Sequence, residues 1–252
     1  TDYRRLGHAS EHIYDFYKPS PHSEHPIVNG PLSINSYINA ALSAFADRRT
    51  KMARDGSLVD DFDFVLFHSP YAKIVQKTAF RLASASCCTD DAKHPASLED
   101  EQKAIATQFF RDRVNSGLQL SRQLGNLYCG SLYCNLMSCI LECLSKGDFA
   151  SMRLGLFSYG SGSMATLFEL ELHGDRLRSA PWLVDWVSEL KSSIQNRCRC
   201  SPQEFEEALQ ERSALFGQIP WKPADRHLVH VLPDTFYLAH VDDQYRRVYR
   251  RA

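Results

Sequence analysis

Apolar side chains recur every three or four positions from Ser33 through Ile34, Tyr37, Ile38, Ala41, Leu42 and Phe45. The pattern then fades into Arg48, Arg49 and Lys51 and stops near Gly56. That spacing predicts an amphipathic helix. The apolar, aromatic-rich segment over 62–67 predicts a buried strand. It breaks at His68, where Ser69 suits an N-cap and Pro70 a first helical position, so a helix is expected to about residue 84. Residues 86–98 read as a surface loop, and a charged helix follows from about 98 to 115. The segment from about 130 to 144 is apolar nearly all round, which predicts a buried helix. Strands are expected over 153–159 and 163–172, joined by the turn Gly160-Ser161-Gly162. Two helices follow, over 182–194 and 202–216, the second with Ser201 as its cap. Residues 235–241 alternate as a strand does, with 245–249 as the hairpin partner. Strands and helices alternate without repeats or a long linker, which predicts a single α/β domain over 1–252.

Composition narrows the function classes. The chain has 252 residues, 29 basic and 30 acidic side chains, and a formal net charge of -1. That balance argues against nucleic-acid binding, which needs a basic excess or patch. No apolar run reaches membrane-spanning length, so no membrane partner is expected. Eight cysteines are present, but Cys129, Cys134, Cys139 and Cys143 fall in the apolar helical segment. Cys87 and Cys88 are adjacent, and one residue separates Cys198 from Cys200. No C-x-x-C pair or zinc-spaced histidine accompanies them, so free thiols and no metal site are expected.

The richest chemistry lies in Phe64-Val-Leu-Phe-His-Ser-Pro-Tyr-Ala-Lys-Ile-Val-Gln-Lys77. His68 stands where a strand hands over to a helix, the place where open α/β sheets put ligands. Lys73 and Lys77 share a helix face through their i,i+4 spacing. A titratable imidazole beside aligned cations suits an anionic or carbonyl-bearing substrate, although such histidines are often structural and such lysines often mere surface. In Gly125-Asn-Leu-Tyr128, Asn126 either uses its side chain locally in the turn or aims it at a ligand carbonyl. Phe157-Ser-Tyr-Gly-Ser-Gly-Ser163 is either a tight hairpin turn or a backbone site for an oxyanion. Tyr159 takes the first glycine position of a G-x-S-x-G elbow, so a serine hydrolase using Ser161 and His68 is a weak reading.

Taken in order, Tyr14-Asp-Phe-Tyr-Lys-Pro19, Ser23-Glu-His-Pro-Ile-Val28, Phe67-His-Ser-Pro-Tyr71, Gly125-Asn-Leu-Tyr128, Phe157-Ser-Tyr-Gly-Ser-Gly162, Phe236-Tyr-Leu and Tyr245-Arg-Arg-Val-Tyr249 resemble a known family. It is the C-terminal half of 3-hydroxy-3-methylglutaryl-CoA (HMG-CoA) synthase, of the thiolase superfamily. The resemblance covers nearly the whole chain and diverges near 86–98 and 173–225. It implies half of a layered αβαβα fold with a mixed sheet, and the condensation of acetyl-CoA with acetoacetyl-CoA by an acyltransferase. CoA thioesters are then substrates, and no cofactor is implied.

By the same resemblance, His68 is the catalytic histidine that holds and polarises the acetoacetyl group. Lys73 and Lys77 match positions that contact CoA, while Ser33, Asn126 and Ser161 match the acyl and product pocket. Asp15 matches an aspartate near the active site. The family's nucleophilic cysteine and general-base glutamate belong to the N-terminal half, which this chain does not contain, and Cys129 is not that nucleophile. Pro31 replaces a common lysine and could alter the approach to Ser33. The implied partners are the N-terminal half and a second copy in a homodimer, and half of such a fold should expose a large apolar face. A cytoplasmic location is implied, with the mitochondrion as the alternative. A truncated paralogue that binds acyl-CoA or dimerises without catalysing is the competing reading.

Overall fold

The computed structural model describes residues 3–20, 25–53, 57, 59–85, 100–147, 149–215, 217–229 and 231–252. The chain divides into two compact units, 1–189 and 190–252.

In the first unit the elements run β1 (Gly7–Ser10), β2 (Phe16–Tyr17), β3 (Ile27–Val28), α1 (Gly30–Lys51), β4 (Phe64–Phe67), α2 (Ala72–Ala85), α3 (Asp100–Phe109), α4 (Gln119–Leu124), α5 (Gly130–Ser145), β5 (Ser151–Gly160), β6 (Met164–His173) and α6 (Gly174–Arg178). A π-helical turn and a 3₁₀ turn fill 110–118 between α3 and α4. The helix expected over 98–115 is therefore shorter and ends in irregular turns. α7 (Pro181–Gln195) carries the chain into the second unit.

The main sheet has the order β1-β6-β5-β4. β4 pairs parallel with β5, while β5 with β6 and β6 with β1 are antiparallel, so the sheet is mixed. Both faces of β4 are covered, which explains its unbroken apolar run. Val65 and Phe67 join Phe157, Tyr159 and the helices α1 and α2 in one core cluster. Phe64 and Leu66 face the other way, with Leu154, Leu156 and Cys139 and Cys143 of α5.

Several boundaries differ for physical reasons. α1 starts at Gly30 rather than Ser33, because Asn29 caps it by accepting the Leu32 N–H at 3.2 Å. Pro31 then sits in the first turn, where a missing N–H costs nothing. α2 starts at Ala72, and Ser69 does not cap it. The Ser69 side chain is 1% exposed and turns toward the Phe67 carbonyl at 3.3 Å. β1 was not expected: Gly-His-Ala-Ser is a poor strand sequence, made extended by its ladder with β6. Its Gly7 permits the approach to α1, since a Cβ there would lie 1.9 Å from the Ala44 carbonyl oxygen.

α5 buries only one side. Leu132, Cys134, Asn135, Cys139 and Cys143 face inward, while Tyr133 is 62% exposed and Met137, Ile140 and Leu144 are half-buried. A largely apolar stripe thus remains on its outer side. The six described cysteines are free thiols, and Cys87 and Cys88 lie outside the described residues, as does the loop expected at 86–98.

The second unit holds α8 (Pro202–Leu215), α9 (Asp225–Leu228) and the hairpin β7 (Phe236–Val241) with β8 (Arg247–Arg251). Ser201 caps α8 reciprocally, accepting from the Glu204 N–H at 3.2 Å while Glu204 accepts the Ser201 N–H at 2.7 Å. That carboxylate is held below its usual pKa by these bonds.

Candidate active site

A cavity of about 460 Å³ opens beside the C-terminal end of β4. His68, Ser33, Asn126 and Ser161 all line it, together with Tyr37, Tyr159, Tyr71 and Cys129. Four of the seven sequence-expected residues therefore meet in one place although nearly 130 positions separate Ser33 from Ser161.

His68 arrives there through the sheet. Its N–H donates to the Phe157 carbonyl at 2.7 Å, which extends the β4–β5 ladder one residue past the strand. Its own carbonyl accepts the Tyr37 hydroxyl at 2.5 Å, which ties the backbone to α1. Burial, with nearby Tyr159 as a second cause, pushes the Tyr37 pKa well above normal, so that hydroxyl stays a donor. The His68 ring is partly buried, and burial lowers its pKa, which favours the neutral imidazole.

A polar chain reaches the ring from α5. Ser131 Oγ lies 3.1 Å from His68 Nδ1 and accepts the Ser69 N–H at 2.9 Å. Asn135, one turn later, donates from Nδ2 to the Phe67 carbonyl and to Ser69 Oγ, both at 2.7 Å. Its Oδ1 accepts the Ser121 hydroxyl at 2.5 Å. Sequence reading missed Ser131 and Asn135. The available signal was a line of hydrogen-bonding residues at 131, 135 and 138 on one face of an otherwise apolar helix.

Asn126 makes the local turn and also stands at the cavity wall. Its Oδ1 accepts the Tyr128 N–H at 2.8 Å in a local turn, with Tyr128 at φ 48°, and the residue still lines the cavity. The Ser161 turn is braced from below. Asp15, fully buried, accepts the Gly162 N–H at 3.0 Å, and the Tyr159 hydroxyl reaches its other oxygen at 3.5 Å. The Gly162 and Ser163 N–H groups are thus committed, the latter to the Glu11 carbonyl at 2.6 Å, and neither faces an oxyanion. Asp15 stands behind the cavity wall and not on its surface. Lys73 and Lys77 are exposed on α2 and do not line the cavity either.

No Ser161–His68 hydrogen bond occurs among the described residues. The serine on the ring is Ser131, whose 1% exposure rules out a role as nucleophile. Nor do the described residues hold a cluster of three or more histidine, cysteine or acidic side chains suited to a metal ion. No helix among them is long and apolar enough to cross a membrane.

The model of the family described as hydroxymethylglutaryl-coenzyme A synthase C terminal matches residues 4–99 and 82–252. The chain belongs to that family. Among its relatives, mitochondrial hydroxymethylglutaryl-CoA synthase of Sus scrofa is 33% identical over 97% of this chain and 54% of its own. The synthase of Gibberella zeae is 32% identical over 96% of this chain and 59% of its own. The chain thus spans about half the length of these curated relatives. MvaS, solved in complex with 3-hydroxy-3-methylglutaryl coenzyme A, is 25% identical with a TM-score of 0.75, over 98% of this chain and 56% of its own. The HMG synthase of the curacin biosynthetic pathway, solved with an acetyl donor-ACP, superposes with a TM-score of 0.80 at 20% identity, over all of this chain and 57% of its own. The layered α/β fold with a mixed sheet is therefore that of HMG synthases.

Proposed function

We propose that this chain is the C-terminal half of an HMG-CoA synthase and supplies the histidine side of a condensing site. In the proposed reaction an acetyl carbanion attacks the ketone of acetoacetyl-CoA, and a new carbon–carbon bond leaves charge on the former ketone oxygen. The observation that carries this reading is a partly buried imidazole, its pKa lowered by burial, lining an apolar-walled cavity with Ser33, Asn126 and Ser161. A hydrogen-bond donor stabilises a developing alkoxide best where water is sparse. A thioester acyl chain also suits a pocket of this size and apolar lining.

The remaining assignments follow that pose. His68 binds and polarises the ketone; Ser33, Asn126 and Ser161 contact the acyl group; Asp15 acts indirectly by fixing the Gly162 turn. Lys73 and Lys77 project from the helix that follows His68 and meet the phosphorylated end of CoA outside the cavity. The carbon nucleophile and its base come from the N-terminal half, and the outer stripe of α5 is where further protein would cover apolar surface. No metal or redox group takes part. Homodimerisation and a cytoplasmic setting belong to this proposal, with a mitochondrial one as its alternative; relatives carry both names.

The test is condensation measured with the N-terminal half supplied, for the wild type and His68→Ala. Loss of roughly 10²–10³-fold in turnover is expected for removal of such a donor. Unchanged turnover in a folded variant would overturn the assignment.

A further inference from the structure

We infer that Ser131 is a positioning residue that holds the His68 imidazole with its proton on Nε2, facing the cavity. The inference rests on the proposed role of His68 as donor to a ketone and names what gives the ring that role.

The protons around Ser131 fix the tautomer. A serine hydroxyl carries one hydrogen and two acceptor lone pairs. Ser131 Oγ already accepts the Ser69 N–H at 2.9 Å, and its other recorded partner among the described residues is His68 Nδ1 at 3.1 Å. If Nδ1 carried the ring proton, both neighbours would donate to Ser131, and its own hydrogen would be left without an acceptor at a position 1% exposed. Buried donors are rarely left so. With the ring proton on Nε2, Ser131 donates to Nδ1 and every group is satisfied. Nδ1 lies on the buried side against α5, so the opposite ring edge lines the cavity and presents an N–H to a carbonyl oxygen. Burial lowers the ring's affinity for a second proton, which keeps it a neutral, one-tautomer donor.

The arrangement is held from further back. Asn135 fixes Ser69 Oγ and the Phe67 carbonyl, which places the Ser69 N–H that orients Ser131. Ser131 touches no substrate. Its effect on chemistry passes through the ring.

The experiment is nitrogen NMR of the chain labelled with ¹⁵N-histidine, with the His68 signals identified by their loss in His68→Gln. The expected wild-type result is a protonated Nε2 and an unprotonated, downfield Nδ1. A ring protonated at Nδ1, or a mixture without a dominant form, overturns the inference whether or not the Ser131 variants fold. In Ser131→Ala the averaged shifts should report a tautomer ratio about fivefold lower, the equivalent of one neutral hydrogen bond of ~1 kcal/mol. Ser131→Thr, which keeps the hydroxyl, should restore the ratio. An unchanged ratio in a folded Ser131→Ala overturns the inference. Addition of acetoacetyl-CoA separates the two proposals. If the tautomer is as stated and the ligand moves neither nitrogen, the role of His68 fails while the positioning by Ser131 stands.

Discussion

Replacing Asn135 by alanine removes the hub of the buried polar chain behind His68, and its consequence can be worked from the structure. The side chain is 1% exposed and makes three contacts: Nδ2 to the Phe67 carbonyl, Nδ2 to Ser69 Oγ, and Oδ1 from Ser121. Ser69 keeps its own weaker bond to Phe67 at 3.3 Å, so that carbonyl is not wholly abandoned. The Ser121 hydroxyl loses its Asn135 acceptor and is left with the weaker Cys134 sulfur. A lost buried hydrogen bond costs about 1 kcal/mol and an unsatisfied group more, so three weakened partners sum to about 3 kcal/mol. At an m-value of about 2 kcal/mol/M this lowers the urea midpoint by about 1.5 M. Circular dichroism of urea unfolding reads it. Asn135→Asp separates polarity from packing. It keeps the acceptor for Ser121 but turns an acceptor toward the Phe67 carbonyl. The aspartate is favoured in its protonated form when folded, so its folded pKa is raised and stability is regained as pH falls toward the unfolded value near 4. A loss below about 0.5 kcal/mol in Asn135→Ala would refute the view that this chain is a satisfied, stabilising network.

Gly7→Ala should destabilise the first unit by about 2 kcal/mol or more, read as a lower thermal midpoint, because the new Cβ would sit 1.9 Å from the Ala44 carbonyl oxygen. Arg48, 3% exposed, bonds Glu169 through Nε at 2.7 Å and Asp61 through Nη1 at 2.8 Å. Arg48→Met should cost about 1–3 kcal/mol, because both carboxylates lose this buried cation while Glu169 keeps Arg5 at 3.2 Å, and Arg48→Met with Glu169→Leu should recover part of it in the same melt. The folded pKa of His68 lies below its unfolded value near 6.5, so the folded state binds fewer protons just below that pH. Stability from this ring is therefore fully present above about 6.5 and is lost as pH falls toward the folded value. The difference in unfolding free energy between pH 7.5 and 5.5 should shrink in His68→Gln, and an equal difference would contradict the burial argument.

What the sequence showed and what it hid follow from the range of the interactions. β4 and the turn at His68 were legible because a strand covered on both faces must be apolar throughout and must stop at Ser-Pro. The β5–β6 hairpin was legible from the small-residue turn Gly160-Ser161-Gly162 between two apolar runs. β1 was not, since Gly7 and His8 become extended only by pairing with β6 some 160 positions away. Ser131 and Asn135 looked like small fillers in an apolar helix, because their partners lie 62 to 68 positions upstream. Lys73 and Lys77 were correctly seen to share a face. Spacing alone could not tell that their helix turns that face away from the cavity. Asp15 was legible as a carboxylate near the site but not as the brace of a turn, which depends on the fold bringing residues 11–15 against 160–163.

The central claim is that the His68 ring presents a donor to the ketone of a thioester-borne acyl group. A structure of the chain with acetoacetyl-CoA bound tests it most directly. The account predicts the ketone oxygen within about 2.7–3.2 Å of His68 Nε2, with the acyl chain between Ser33 and Ser161 and the phosphates outside near α2. A ligand seated elsewhere, or a ring whose Nε2 faces away from the ketone, would contradict it.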